Sequence, residues 1–265
     1  MIIEYFKYLT NPATKSAKKL GQLQEAIAME ARYKRSQLQW EPHLKNTKLL
    51  IEESSRQVID PNELIVLGSG LLLDTPIEFL AKYFERVYLI DVVHLKKIKK
   101  NINKFNNVFL IEHDVTGLAD QIIETTKTSS NDFQPKASIP KLSADTSLVI
   151  SANMLSQLHY SPVKFVTNTL GYDEKKQKKL TKEIMLSHIQ MLSQLTCRVC
   201  LITDYKRNYK DERQHIIEQE EALPGIKLPK PDKEWLWEIA PKGELSKNIS
   251  LTSVVYGYQD FKQLN

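Results

Sequence analysis

The sequence predicts an α/β fold: a doubly wound, mostly parallel seven-stranded sheet that closes with an antiparallel strand pair and follows an N-terminal helical extension. From Glu63 onward, short apolar runs alternate with amphipathic segments of helical length, which is typical of a parallel sheet covered by helices on both faces. The β-rich runs Trp235–Ala240 and Leu251–Tyr258 have no helix-length segment between them, and this indicates the antiparallel pair. Residues 1–60 have helical periodicity instead.

The predicted elements follow one another in chain order. Helices are predicted over 22–37 and 42–58, with Pro42 in a first helical turn, where its missing N–H is harmless. Residues 127–146 are rich in Ser, Thr, Lys and Pro and predict a mobile surface loop. Around that loop we predict strands over 64–67, 87–91, 108–111, 147–151 and 198–203, and helices over 75–84, 95–104, 117–126 and 174–194.

Composition indicates a globular protein of ordinary character. A chain of 265 residues with 42% hydrophobic content suffices for one large domain, or for one domain with an extension. The net charge of +5 permits an RNA partner without arguing for one. No stretch approaches a membrane span, and the N-terminus is too short and too acidic for a signal peptide, so we expect a cytoplasmic protein with no membrane partner.

The two cysteines form a Cys-x-x-Cys pair, Cys197 and Cys200, which raises the question of metal or redox chemistry. A zinc site needs four ligands, and a thioredoxin-type pair stands at a helix start, whereas this pair opens a predicted strand. We therefore expect structural cysteines and no metal site.

A glycine turn follows the first predicted strand. Gly68, Ser69 and Gly70 let a ligand approach the backbone without a Cβ in the way, and a helix beginning past Asp74 would direct its first amides at that ligand. Leu73 stands where the third glycine of the dinucleotide fingerprint would be. The turn thus indicates a nucleotide-like ligand, although such turns also occur as plain strand-to-helix corners.

Polar residues follow the next strands as well. In an open parallel sheet the ligand lies beyond the carboxyl ends of the strands. Asp91 ends the second strand, about 20 residues after the turn, where a carboxylate can accept from both ribose hydroxyls. Asp114 ends the third, placed for an exocyclic amine such as that of adenine, and Ser151 to His159 follow the fourth. Each aspartate could instead be a helix cap or loop carboxylate, but their joint placement favours one site.

Over roughly residues 60–260, the chain resembles the class I S-adenosylmethionine-dependent methyltransferases. The resemblance is carried by the glycine turn, by Asp91 as the ribose acid, by the His113-Asp114-Val115 motif on the adenine side, and by Ser151–Leu158 after the fourth strand. It implies a helical cap over 1–60, a Rossmann-like methyltransferase domain over 61–265, and S-adenosylmethionine as cofactor, converted to S-adenosylhomocysteine. The cofactor-binding residues it implies are Gly68, Ser69, Gly70, Asp74, Asp91, Val92, Asp114, Val115, Ser151 and Asn153.

The chain departs from the family's pattern at two points. An acidic residue usually stands two positions before the first glycine and binds the methionine amino group; Val66 occupies that position here, and Asp74 or Glu63 could substitute. After the fourth strand, many DNA, RNA and protein amine methyltransferases have Asn or Asp followed by Pro-Pro and an aromatic residue, where this chain has Ser-Ala-Asn-Met. The segment resembles a group of bacterial proteins and favours a small-molecule acceptor over a nucleic-acid base.

Methyl transfer from a sulfonium is mainly a matter of positioning the nucleophile, with a general base only where that nucleophile carries a proton. The candidate catalytic residues follow the fourth and fifth strands. His159 is either a base or an exposed loop histidine, and Asn153 is the candidate closest to the methyl group. The set is Asn153, His159, Asp204 and Tyr205, with Gln157 as a further candidate for the acceptor site.

Other conspicuous residues have two interpretations each. In the N-terminal helices, Tyr33, Trp40 and His43 either line the acceptor site or form part of a basic face beside a packing tryptophan. Trp235 and Trp237 share one face of a strand, and core packing is the favoured role. The lysine run over 175–182 favours a solvated helix face over an RNA contact.

Two classes of function remain on sequence grounds. The first is an active methyltransferase that methylates an O or N nucleophile, favouring a small molecule, with RNA or protein as the alternative acceptor. The second is a methyltransferase-like fold used as a non-catalytic binding or scaffold protein, which Val66 at the usually acidic position motivates.

Overall fold

Four helices precede the sheet in the computed structural model, which describes residues 2–125 and 133–261. They are α1 (Ile2–Thr10), α2 (Lys15–Lys19), α3 (Gln22–Arg35) and α4 (Gln37–Arg56). A threonine caps α2, because the Thr14 side chain accepts from the Ala17 N–H. Ser36 separates α3 from α4.

The placement of Pro42 in a first helical turn was wrong. Helix α4 begins at Gln37, so Pro42 lies inside it. The residues before the proline continue the helix because Trp40 is fixed there: its side chain is buried, and its Nε1 donates to the Ile239 carbonyl oxygen at 3.0 Å. The tertiary contact of the tryptophan thus outweighs the hydrogen bond that a proline removes from a helix interior.

The remaining elements alternate as predicted up to β4, and two unpredicted elements follow. Helix α8 begins with proline in its first turn and ends at a left-handed Gly171 (φ 66°). Strand β6 is almost fully exposed, so it lacks the apolar alternation that would have revealed it. In order, the elements are β1 (Glu63–Leu67), α5 (Ile77–Tyr83), β2 (Arg86–Asp91), α6 (Lys96–Ile102), β3 (Val108–Glu112), α7 (Ala119–Thr125), β4 (Thr146–Ala152), α8 (Tyr160–Leu170), α9 (Glu174–Ser193), β5 (Arg198–Lys210), β6 (Ile216–Glu221), β7 (Lys233–Ala240) and β8 (Ser250–Tyr258).

The sheet has the order β3-β2-β1-β4-β5-β8-β7, with β6 paired to β5 off this path. Strands β1 to β5 are parallel, whereas β8 runs antiparallel to both β5 and β7. This confirms the predicted mostly parallel sheet with its antiparallel closing pair. The eighth strand exists because β5 runs on beyond the parallel part and offers a free edge to β6.

The hydrophobic core lies on both faces of the sheet. On one face, Leu50 and Ile51 of α4 are fully buried in the same cluster as Leu64 and Val66 of β1. On the other face, α9 packs its apolar side against the sheet. Because α4 belongs to the core of the sheet, the core is continuous across residue 60, and the division into a cap and a main domain stays a prediction.

Part of the predicted surface loop is fixed to the sheet edge. Residues 127–132 lie outside the described part of the chain, but Phe133 is buried. The Lys136 N–H donates to the Thr116 carbonyl oxygen and the Ser138 N–H to that of Val115, both at 3.1 Å. The backbone of this stretch therefore pairs with the segment that follows β3, and the mobility of the loop stays a prediction.

The thiol of Cys200 and the character of the helices bear on two sequence-based expectations. Cys200 is buried in β5, and burial raises the pKa of its thiol to about 12, so the thiol stays protonated and unreactive at neutral pH. Within residues 2–125 and 133–261, none of the helices combines the length and the apolar character that crossing a membrane requires.

Candidate functional site

A cavity of about 300 Å³ lies at the carboxyl ends of β1, β2, β3 and β4. The carboxyl ends of parallel strands meet at one edge of a sheet, which is why the residues after these strands converge. Helices α3 and α4 cover the cavity, and Trp237 of β7 lies beside them. The covering residues are Gln22, Glu25, Ala26 and Met29 of α3 and Trp40, His43 and Leu44 of α4.

The glycine turn forms one wall of the cavity. Gly68 and Gly70 have positive φ angles of 70° and 46°, which glycine adopts at little cost. A Cβ on Gly68 would lie 2.9 Å from the Cβ of Met154, so this turn and the segment after β4 pack too closely for any side chain there. Helix α5 begins only at Ile77, so the expected helix-start amides are loop amides instead.

Asp91 is joined to the turn directly. Its Oδ2 accepts the Gly70 N–H at 2.8 Å, and its Oδ1 is 3.4 Å from the Val93 nitrogen. Burial raises the pKa of its carboxyl above the ordinary range, and the Gly70 N–H opposes that shift. Asp91 thus lines the cavity beside Val92 while fixing the conformation of the turn.

Asp114 and Val115 also line the cavity, but the Asp114 carboxylate is engaged in a cap. Oδ1 accepts from the backbone and hydroxyl of Thr116 at 3.0 and 2.7 Å, and Oδ2 accepts from the amides of Leu118 and Ala119 at 2.9 and 2.7 Å. These bonds start α7, so the interpretation of Asp114 as a helix cap fits the structure.

Asn153 and Asp74 meet across the cavity. The Asn153 Nδ2 lies 2.7 Å from the Asp74 Oδ2 and 3.1 Å from the His43 Nε2. Asn153 has a left-handed φ of 55°, and its N–H donates to the Ile202 carbonyl oxygen at 2.8 Å. Gln157 lines the cavity as well and bonds the Asn153 carbonyl oxygen through its side chain.

Buried histidines lie behind two of the predicted cofactor residues. Ser69, which lines the cavity, has its Oγ 3.2 Å from the Nε2 of the buried His94. Ser151 instead lies within β4, fully buried, with its Oγ 3.0 Å from the His188 Nε2. Because Ser151 points to α9 rather than to the cavity, its prediction as a cofactor contact does not fit this structure.

Three predicted catalytic residues do not line the cavity: His159, Asp204 and Tyr205. Strand β5 continues to Lys210, so Asp204 and Tyr205 lie within a strand rather than after one. Asp204 is buried and paired with Arg207, and Tyr205 stacks on Tyr256 with 4.3 Å between ring centroids.

His159 packs on Tyr160 just before α8. Burial, with the nearby Arg207 charge adding to it, lowers the pKa of His159 to about 4. Of the four candidates, only Asn153 therefore contacts the cavity.

An aromatic cluster forms the roof. His43 is buried and stacks on Trp237 at 4.1 Å, and its Nδ1 lies 3.0 Å from the Trp235 Nε1. Trp40 meets Trp237 edge-on at 5.2 Å. Of the candidate wall residues, Trp40 and His43 line the cavity and Tyr33 does not. Trp237 belongs to the core, as expected, and it also lines the cavity. The expectation of core packing did not include this second role.

The two carboxylates that could substitute for an acidic residue at position 66 lie at opposite edges of the sheet. Val66 is buried in the core, and Glu63 at the amino end of β1 is bonded to Arg86 and Ser143. The amino end of a parallel strand lies at the opposite edge of the sheet from the cavity. Of the two proposed substitutes, Asp74 alone is therefore in place.

The cavity wall is rich in carboxyl groups. Among the described residues, Glu25, Asp74, Asp91 and Asp114 line it, and neither a lysine nor an arginine does. The lysines over 175–182 are exposed on α9, away from the cavity. Within the described part of the chain, no cluster of His, Cys, Asp and Glu is suited to a metal ion.

The strand order and the antiparallel β8 decide the fold class. The chain has the fold of a class I S-adenosylmethionine-dependent methyltransferase. Solved structures similar to this methyltransferase fold include N-methyltransferase NodS from Bradyrhizobium japonicum WM9 in complex with S-adenosylhomocysteine, with 14% identity over 80% of this chain and 86% of that chain and a TM-score of 0.37. The 1,6-didemethyltoxoflavin-N1-methyltransferase from Burkholderia thailandensis is 12% identical over 93% and 92%, with a TM-score of 0.38.

A third similar methyltransferase is the 23S rRNA methyltransferase ErmE, 10% identical over 81% of this chain and 69% of that chain, with a TM-score of 0.28. No protein-family model matches the sequence, and no curated protein matches it. These likenesses concern the fold alone.

The contribution of α3 to the cavity was not among the sequence-based predictions. Gln22, Ala26 and Met29 repeat at helical spacing and so share one face, but polar and apolar residues alternate there without a motif. The buried His94 was missed too, since nothing local marks it. For the α3 residues, their helical spacing is the feature of the sequence that could have indicated a shared face.

Proposed function

We propose that this protein is an S-adenosylmethionine-dependent methyltransferase that methylates an O or N nucleophile of a small molecule. The observation that carries the proposal is the covered cavity at the carboxyl edge, lined both by the Gly68–Gly70 turn with Asp91 and by the aromatic roof. Its volume of about 300 Å³ lies at the lower end of the range for small-molecule sites.

The chain's residues would divide the work of binding along the cavity. Asp91 and Val92 would hold the ribose, Val115 the adenine ring, and the amides around Ser69 and Gly70 the methionine end. Asp74 would receive the methionine ammonium, because it is the remaining carboxylate near the turn. Bound S-adenosylmethionine supplies an activated methyl group, so the protein's task is to orient an acceptor in line with it.

The acceptor would lie under the roof, between Asn153 and the two tryptophans Trp40 and Trp237. The packed rings of the roof exclude water from this part of the cavity. His43 does not serve as a general base, because burial lowers its pKa to about 3. A nucleophile that must lose a proton would therefore release it to solvent.

RNA is a weaker second candidate for the acceptor. Nucleic-acid binding depends on lysines and arginines that neutralise phosphates. The described residues place neither type on the cavity wall, and the roof narrows access to it. Together these features support a small acceptor without phosphate groups.

Calorimetry with S-adenosylhomocysteine tests the proposal. We expect Asp91→Ala to weaken binding by about 10- to 100-fold, the loss typical of a hydrogen bond to a charged group. Asp91→Asn, which keeps the size, should weaken it less. Glu78→Ala, which removes an exposed carboxylate paired with Lys104, is the matched control and should bind as the wild type does.

No detectable heat from the wild type at millimolar ligand would instead support the non-catalytic scaffold that Val66 suggests. Unchanged affinity in Asp91→Ala would contradict the assignment of the site while leaving the activity to be sought elsewhere in the cavity.

A further inference from the structure

Four side chains form a continuous chain of polar contacts through the cavity: Trp235, His43, Asn153 and Asp74. The Trp235 Nε1 lies 3.0 Å from the His43 Nδ1, the His43 Nε2 lies 3.1 Å from the Asn153 Nδ2, and that nitrogen lies 2.7 Å from the Asp74 Oδ2. All three separations are hydrogen-bonding distances. The protons along the chain must therefore be consistent with one another.

Chemistry fixes the direction of the first contact. An indole N–H only donates, so the His43 Nδ1 must accept from Trp235. His43 is neutral, because it is 1% exposed and burial lowers its pKa to about 3. A neutral imidazole carries one proton, which then resides on Nε2 and makes that atom a donor.

The second contact follows from the first. The His43 Nε2–H faces Asn153, whose amide nitrogen is not an acceptor, so a nitrogen in that place puts two donors against each other. Turning the carboxamide by 180° exchanges its oxygen and nitrogen and restores a hydrogen bond. The turn ends the donation of the Asn153 Nδ2 to Asp74 and moves that nitrogen to the place of the Oδ1, which has no partner in the present orientation within the described part of the chain.

The third contact, between Asn153 and Asp74, then joins two oxygens. With the amide oxygen turned inward, it stands 2.7 Å from the Asp74 Oδ2, and two oxygens at that separation need a proton between them. The amide oxygen has two lone pairs and can accept from both His43 and Asp74.

We propose that Asp74 is a neutral carboxylic acid in the free protein, and that Trp235 is the positioning residue that enforces this state by fixing the tautomer of His43. Trp235 then donates to the His43 Nδ1, and the His43 Nε2 donates to the Asn153 oxygen. The protonated carboxyl group of Asp74 donates to the same oxygen. His43 is accordingly a fixed hydrogen-bond donor.

The surroundings of Asp74 agree with this assignment. Burial raises the pKa of its carboxyl, against opposing contributions from the Asp74 amide, from the Lys48 charge on α4 and from Thr75. An Asn153 N–H that donates to Asp74 lowers that pKa as well, and the turned carboxamide no longer makes this donation. His43, which faces the same carboxyl group through Asn153, adds no charge because it is neutral. Lys48 is the cation on α4 whose field reaches this group.

One consequence rests on the proposed function. A cationic ligand that reaches Asp74 favours the carboxylate, so the carboxyl group would lose its proton to the buffer as S-adenosylmethionine binds. Its affinity for the cation would then rise as the pH rises through the pKa of Asp74.

Nuclear magnetic resonance of the free protein tests the proposal without any ligand. In the wild type we expect a bare Nδ1 and a protonated Nε2 in the nitrogen spectrum of His43. The Asp74 carboxyl carbon should titrate well above about pH 3.9, the ordinary value for aspartate. An Asp74 that titrates near the ordinary value, or a His43 protonated on Nδ1, would overturn the proposal even if no variant can be made.

Two tryptophan variants separate hydrogen bonding from packing. Trp235→Phe frees the His43 Nδ1, so the tautomer can change, Asn153 can donate to Asp74, and the pKa of Asp74 should fall by about one unit or more. Trp237→Phe is the matched control, because Trp237 stacks on His43 while its own Nε1 has no hydrogen-bond partner among the described residues. Equal responses of Asp74 in the two variants would contradict the role of Trp235.

Calorimetry with S-adenosylmethionine in buffers of different ionisation heat tests the consequence separately. Release of about one proton by the wild type and none by Asp74→Asn is expected. Binding without proton release would overturn the linkage. Absence of binding would count against the proposed function, while the titration of the free protein would still decide the state of Asp74.

Discussion

Asn153 at the cavity has a backbone conformation that few residue types besides glycine and asparagine adopt. Asn153 is left-handed without being glycine, a state that costs about 1–2 kcal/mol for an ordinary residue. Its bonds to the Ile202 carbonyl oxygen and to Gln157 hold it there. These bonds fix the backbone that directs the Asn153 side chain to the cavity, which agrees with its proposed role beside the acceptor.

Gly68 offers a test of close packing at the same scale. Gly68→Ala should lower the free energy of unfolding by about 2–5 kcal/mol, because the new Cβ meets both backbone strain and Met154. Gly171→Ala is the matched control: Gly171 has nearly the same φ, and a Cβ there has nothing within 4 Å, so about 1–2 kcal/mol is expected. Equal losses of unfolding free energy in urea denaturation would show that Met154 moves aside without destabilising the protein.

Among the elements, β5 links the sheet to α8 and β6 through one guanidinium. Arg207 donates to Asp204 within β5, to Tyr160 at the start of α8 and to Glu220 on β6. The Ser156 hydroxyl also donates to the Asp204 carboxylate. Because Asp204 and Arg207 are both largely shielded from water, each neutralises a charge that would otherwise be buried alone.

The Asp204–Arg207 pair should therefore show strong coupling. Arg207→Met should cost about 3–5 kcal/mol of unfolding free energy, since it leaves a buried carboxylate unpaired. The double variant Asp204→Asn with Arg207→Met should cost less than the sum of the single changes. The exposed pair Glu174 and Lys178 on α9 is the control, with coupling below about 1 kcal/mol. Additive losses in the Asp204 cycle would contradict a buried ion pair.

For the whole molecule, three buried histidines and the half-buried His159 contribute to the response to acid. Burial lowers the pKa of His43 to about 3 and those of His94, His159 and His188 to about 4 each. In the unfolded chain each would titrate near 6.5. The unfolded state therefore binds more protons between about pH 6.5 and pH 4, so these residues make the folded state less stable as the pH falls through that window.

We accordingly expect the free energy of unfolding to fall by several kcal/mol between about pH 7.5 and pH 5, at up to about 1.4 kcal/mol per histidine per pH unit. The raised pKa values of Asp74 and Asp91 oppose part of this fall. Urea denaturation across the range measures it. His188→Asn should reduce the slope, whereas the same change at the exposed His215 is the control. A stability that stays constant or rises on acidification would refute the expectation.

The sequence by itself determined the sheet, its antiparallel closing pair and the loops where a ligand would bind. These follow from local signals: apolar periodicity defines strands, and parallel strands bring their carboxyl ends to one edge. Gly68, Asp91 and Asn153 could therefore be placed together without coordinates. Asp204 could not be placed, because the length of β5 was not predictable. Strand β6, which pairs with the extended part of β5, is exposed and has no apolar pattern in the sequence.

Tertiary structure alone decided which side chains meet. His43 and Trp235 are separated by 192 positions along the chain, and their contact depends on α4 packing on β7. Ser151 and His159 lie in suitable segments yet face helices or neighbouring rings rather than the cavity. The direction of a side chain depends on which surfaces pack against it. The proposed proton on Asp74 depends on Trp235, a donor three contacts away. Neither can therefore be predicted from local sequence.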